Sequence, residues 1–96
     1  MKPFYTYMLA SQKNGTLYTG HTDDISGRVW AHKNGLGSIF TRKYGVTRLV
    51  WYEPHATRDA AKTREYQIKK WKRVWKIELI EASNPEWLDL YMKLNH

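Results

Sequence analysis

Hydrophobic and polar positions divide the chain into runs of two different periods. FYTYMLA (4–10) is aromatic-rich, and strand alternation puts Tyr5 and Tyr7 on one face, Thr6 and Met8 on the other. LYTG (17–20) reads as a second strand. Between them, SQKNGT holds Asn14-Gly15, the dipeptide that tight hairpins favour because both central residues take positive φ. A turn centred there pairs residues whose numbers sum to about 29, placing Tyr7 near Thr22 and Tyr18 near Ser11.

The period then lengthens. Ile25, Val29 and His32 recur at helical spacing, with Asp23 or Asp24 as the cap and Asn34-Gly35-Leu36-Gly37 as the stop. TRLVWYE (47–53) is a third strand, ended by Pro54. Thr57 caps a helix through TRDAAKTREYQIKKWKR, VWKIELIEA continues as helix, and SNPEWLDLYMKL closes the chain. That last stretch has Ser83 or Asn84 as a cap, Pro85 at the first helical position, and Trp87, Leu88 and Tyr91 on its apolar face. The order β-β-α-β-α-α predicts a small mixed α/β sandwich: a three-stranded antiparallel sheet covered by helices, in one domain over 1–96.

Composition adds a partner class. Five Trp, seven Tyr and two Phe are expected to supply most of the core. The absence of cysteine rules out disulfides and thiolate metal sites and suits a reducing, cytosolic setting. No apolar run approaches 18 residues, so no membrane span is expected, and MKPFYTYMLA lacks the apolar run of a secretion signal. A formal charge of +7 favours polyanionic partners, nucleic acid first and an anionic membrane surface second.

Candidate chemistry lies on the helices. Ala61, Glu65, Ile68 and Lys72 fall on one line, which places Glu65 on or beside the stripe facing the sheet. A carboxylate there needs a partner or a cation. Spacing alone favours the plainer arrangement, an exposed ion pair with Lys69 or Lys62. Arg28 and His32 are one turn apart, His32 leaning inward, with Tyr18 ending the strand before them and His21 following Gly20. Singly, Tyr18 reads as a core aromatic, Arg28 as a surface charge and His32 as a boundary histidine. The basic residues Lys33, Arg42, Lys43, Arg48, Lys69, Lys70, Lys72, Arg73 and Lys76 suit a nucleic-acid surface, with Trp71 and Trp75 among them read as core.

Y-T-Y at 5–7, Y-T-G at 18–20, Arg28, His32 and R-E-Y-Q-I-K-K-W at 64–71 together resemble the GIY-YIG nuclease superfamily, most closely its small bacterial members. The resemblance runs from about Phe4 to Ile80 and includes H-K-N-G-L-G, F-T-R and L-V-W-Y-E. Thr6 and Thr19 replace the isoleucines of the two motifs, Tyr5 stands at the first motif's glycine, and Gly27 stands where many relatives have a second arginine. The resemblance implies an endonuclease hydrolysing DNA phosphodiester bonds with a divalent metal, Mg²⁺ or Mn²⁺, held by Glu65. Tyr7, Tyr18, Arg28 and His32 are then catalytic, Arg28 on the scissile phosphate, with the general base open among Tyr7, Tyr18 and His32. His21, Arg42, Lys69 and Lys72 are candidates for support or nucleic-acid contact. Asn84 is a candidate for the asparagine that supports the site in larger relatives, although a helix cap accounts for it better. Structure-directed action on branched or nicked DNA is expected in a bacterial, cytoplasmic, nucleoid-associated setting, in DNA repair or recombination. RNA stays open as a substrate. The rival reading is a non-catalytic nucleic-acid-binding module, or one that depends on a protein partner for specificity.

Overall fold

A computed structural model of the chain describes residues 2–95. The sheet has the strand order β2-β1-β3, built from β1 (Phe4–Ala10), β2 (Leu17–Thr22) and β3 (Arg48–His55), all antiparallel. Helix α1 (Ile25–Lys33) and a short α2 (Ile39–Tyr44) lie between β2 and β3; α3 (Arg58–Lys69) and α4 (Arg73–Ser83) follow, then a 3₁₀ turn at Tyr91–Asn95. The β-β-α-β-α-α order is as expected, with α2 inserted. No helix among the described residues is long and apolar enough to cross a membrane.

Alternation along β1 gives the sheet two working faces. Tyr7 and Leu9 pack with Ile25, Val29, Val46 and Leu49 on the α1 side. Met8 and Ala10 pack with Val50, Trp51, Ile68, Ile80 and Trp87 on the side of α3 and α4. A β-bulge opposite Met8 and Leu9 leaves Val50 as the extra residue, so the neighbours Val50 and Trp51 join one cluster while Leu49 joins the other. The buried Thr6 hydroxyl donates to the Ala61 carbonyl at 2.8 Å, docking α3 on the sheet. Asp24 and Thr57 cap α1 and α3, each accepting from the backbone N–H three residues on.

The hairpin register differs from the expected one by two residues. Tyr7 pairs with Gly20 and Leu9 with Tyr18. Only Asn14 takes positive φ, in a longer loop closed by Ser11 N–H to the Thr16 carbonyl. The Arg73 guanidinium donates to the Asn14 and Gly15 carbonyls and braces that loop. A two-residue slip preserves the faces, so Tyr7 and Tyr18 remain on one side.

Three further expectations are corrected. β3 runs through Pro54 to His55, because an edge strand tolerates a residue without an N–H. The predicted helix over SNPEWLDLYMKL does not form beyond the terminal 3₁₀ turn. Instead Asn84, buried, donates to the Val50 and Leu88 carbonyls and accepts from the Leu88 N–H, while Trp87 sits fully buried at φ 56° with its indole N–H on Glu81. Asn84 is therefore an anchor of the fold. Trp75 is not core: it is 48% exposed, edge-on to the half-buried Trp71 and beside the Lys72 ammonium.

Some of the basic surface is spoken for. Lys33 pairs with Asp89 and Arg48 donates to the Trp87 carbonyl, so these residues, with Arg73, tie the C-terminal segment and the hairpin loop to the body.

Candidate active site

The candidate residues straddle β2, an outer strand of the sheet. On the α1 face, a cavity is lined by Tyr18, Arg28, His32, Leu36, Gly37 and Ser38 among others. On the opposite face, His21 and Glu65 line a second cavity with Lys62 and Lys69. The pairing of Thr6 with His21 and of Tyr7 with Gly20 explains the split: neighbouring residues of β2 point to opposite sides.

On the first side, the rings of Tyr7, Tyr18 and His32 lie within 5.3–6.3 Å of one another, centroid to centroid. Tyr7 and His32 are buried, Tyr18 is half-buried on the cavity, and Arg28 is exposed. Tyr7 Oη lies 3.2 Å from His32 Nε2, and His32 Nδ1 lies 2.9 Å from Thr41 Oγ1. Because the Thr41 hydroxyl donates to the Ser38 carbonyl at 3.0 Å, it accepts from His32. The proton of neutral His32 is thus on Nδ1, and Nε2 accepts from the Tyr7 phenol.

Electrostatics keep that arrangement neutral. Burial and then the neighbouring Arg28 charge push the His32 imidazole below its usual pKa. Burial, followed by repulsion from Tyr18, pushes the Tyr7 phenol far above its usual range, against the pull of Arg28. Tyr7 also feels the Glu65 charge, which links the two halves across β2.

Two close approaches make the packing possible. A Cβ on Gly20 would lie 2.7 Å from Tyr7 Oη and 2.8 Å from Cζ; one on Gly37 would lie 2.1 Å from His32 Nδ1. Gly20→Ala is expected to cost about 1–3 kcal/mol of stability by displacing a buried ring, measurable as a lowered urea midpoint at unchanged slope. An unchanged midpoint would contradict this packing.

On the second side, His21 Nδ1 donates to Glu65 Oε1 at 2.6 Å and Lys69 Nζ to Oε2 at 2.5 Å. The expected Lys69 ion pair is therefore present, but Glu65 is not the exposed helix residue of the plainer arrangement, its side chain being only 17% exposed. Burial pushes its carboxyl up, yet the hydrogen bonds and charges of Lys69 and His21 outweigh this and hold it below its usual pKa. It is a carboxylate at neutral pH. Among the described residues no three His, Cys, Asp or Glu side chains converge. A cation at Glu65 would take this one protein ligand and complete its shell with water and phosphate oxygens, the habit of Mg²⁺. An ionised, partly shielded carboxylate opening on a cavity fits that role once Lys69 swings away.

The remaining candidates divide. Lys69 lines the Glu65 cavity. Lys72 stands at the start of α4 with its ammonium 5.9 Å from the Trp75 ring, apart from that cavity. Arg42 projects from α2 near Gly35 and lines neither cavity. Sequence reasoning missed Thr41 and Ser38. The available signal was Ser38 ahead of Ile39-Phe40 and Gly45 at φ 63° behind Tyr44, a cap at each end of a six-residue helix. Thr41→Val is expected to release the His32 tautomer, seen as a shift of its ring ¹⁵N resonances toward the Nε2–H form, whereas Thr41→Ser keeps it. Wild-type His32 protonated on Nε2 would contradict the assignment.

Residues 3–78 match the family model of the GIY-YIG catalytic domain. A UPF0213 protein of Clostridium perfringens is 40% identical over 80 residues, covering 83% of this chain and 85% of its own. Another, from Staphylococcus saprophyticus, is 39% identical over 80 residues, covering 83% of this chain and 96% of its own. The solution NMR structure of a UPF0213 protein from Bacillus halodurans superposes with a TM-score of 0.51 at 34% identity, over 83% of this chain and 84% of that one.

Proposed function

The chain belongs to the GIY-YIG family, among its small UPF0213 members, and from that premise we propose that it is an endonuclease hydrolysing DNA phosphodiester bonds with a divalent metal. The observation that carries the reading is the convergence around β2: a guanidinium and a phenol on an open cavity, an ionised carboxylate behind them, and a buried Tyr7 that feels both.

Arg28 is exposed at the cavity and offers a planar fork of donors, suited to the two non-bridging oxygens of a phosphate. Tyr18 is the phenol that lines the open cavity, so it orients the attacking water and, as the phenolate, takes its proton. Tyr7 is sealed from solvent; it donates to His32 and fixes the imidazole beside Tyr18. Glu65 would hold Mg²⁺ or Mn²⁺, which when bound supplies positive charge to the pentacovalent state and the leaving oxygen. Lys69, released from Glu65, and His21 beside it remain to meet phosphate. Arg42 and Lys72, away from both cavities, serve the wider nucleic-acid surface.

The test is to incubate labelled linear, nicked and branched DNA with the wild-type protein, with Mg²⁺, with Mn²⁺ and with chelator. Metal-dependent scission is expected. Salt-sensitive binding without scission would instead leave a binding module, and greater cutting of RNA would move the substrate class.

A further inference from the structure

The cavity at Arg28 ends on an apolar lip. Leu36, 68% exposed, lines it, and α2 continues the surface outward with Ile39 at 77%, Phe40 at 42% and Tyr44 at 48% exposure. None of these four belongs to either buried core cluster. The Phe40 ring lies 6.3 Å from that of Tyr18 and 4.9 Å from that of Tyr44, so Phe40 joins the cavity-lining Tyr18 to the exposed Tyr44. Exposed apolar groups gathered in one place mark a contact surface.

The charge around them says what the contact is. Between Asp24 and Glu53 the sequence has no acidic residue, while Arg42 and Lys43 flank the rings, Lys43 within 5.4 Å of the Tyr44 ring centre. A face of aromatic rings on a segment whose charged residues are all basic suits a polyanion that also carries flat apolar groups. Bases in a continuous duplex are stacked on one another and cannot offer their faces; unpaired bases can.

We propose that α2 is a stacking platform for unpaired bases beside the phosphate held at Arg28, so that the substrate class is DNA with a single-stranded segment at the cut, as at a flap, fork or gap. This rests on the reading of Arg28 as a phosphate contact. Arg28 fixes the backbone at the cavity, and the adjoining bases lie over Leu36, Phe40 and Tyr44. The stacking is indifferent to base identity, since every base has a π-face.

The experiment is fluorescence anisotropy in chelator, where no cleavage occurs, with labelled oligothymidylate and a blunt duplex of equal length. The proteins are the wild type, Phe40→Ala/Tyr44→Ala and Phe40→Trp/Tyr44→Trp. Wild type is expected to bind the single strand more tightly. The alanine pair is expected to lose at least about tenfold on the single strand, in the range of stacking lost from two rings, with little change on duplex; the tryptophan pair retains single-strand binding. A thermal melt by circular dichroism checks that the alanine pair stays folded. Equal losses on both DNAs, or none on either, overturn the platform while leaving the nuclease reading intact. A wild type that self-associates through these rings without any preference for single strands makes the face a protein interface and also overturns it. Failure of the wild type to bind either DNA overturns both readings, whereas single-strand binding through the rings without later metal-dependent cutting removes only the catalytic one.

Discussion

Glu65→Gln is expected to lower metal-dependent DNA cleavage by about a thousandfold or more while leaving the protein folded. Gln keeps the shape, and its one carbonyl oxygen can accept from either His21 or Lys69, whose donors meet Oε1 and Oε2 in the native site. It removes the negative charge that a hard cation requires. Metal stabilisation of the transition state is worth several kcal/mol, and each 1.36 kcal/mol is a factor of about ten in rate. The same substitution should abolish saturable Mn²⁺ binding followed by calorimetry, a readout independent of turnover. Retained Mn²⁺ binding in Glu65→Gln would mean that another group holds the cation.

Arg28→Ala is expected to cost about a hundred- to a thousandfold in cleavage, the scale seen when one positioned donor to a developing oxyanion is removed. Arg28→Lys should recover part of this, since it restores charge without the planar fork. The substitution also has a signature in pH. Arg28 is among the causes that depress the His32 pKa and hold down that of the Tyr7 phenol. His32 must be neutral to accept from Tyr7, so cleavage falls on the acid side as pH drops through the His32 pKa, below the ordinary value of about 6.5. Without Arg28 that pKa rises, and the acid limb of the profile moves to higher pH. A variant with the loss in rate but an unmoved acid limb would separate phosphate contact from the electrostatic coupling seen here.

Where sequence pattern and structure agree, a single local rule decides the outcome. Strand alternation put Tyr5 and Tyr7 on one face and was insensitive to the hairpin's two-residue slip. Asp24 and Thr57 cap helices because a short polar side chain before an apolar period has one economical use. His32, third in the Ile25–Val29 period, is buried as its position required. The failures come where distant contacts override local ones. Asn84 and a Trp87 in left-handed backbone replace a helix that the Ser-Asn-Pro start favoured, because the indole buries fully and Asn84 ties the turn to β3. Helix α2 is too short to show a period, so Thr41, on which the His32 tautomer depends, was invisible as a functional residue. Glu65 could be placed on the inner stripe of α3 by spacing; its bond to His21, 44 residues earlier, could not.

Arg28 and Glu65, brought together around β2, form the site proposed to cut DNA with a metal. The decisive measurement is single-turnover cleavage of labelled DNA with wild type, Glu65→Gln and Arg28→Ala prepared side by side, with and without Mg²⁺. Mg²⁺-dependent products are expected from wild type alone. Equal cutting by all three proteins would contradict that site.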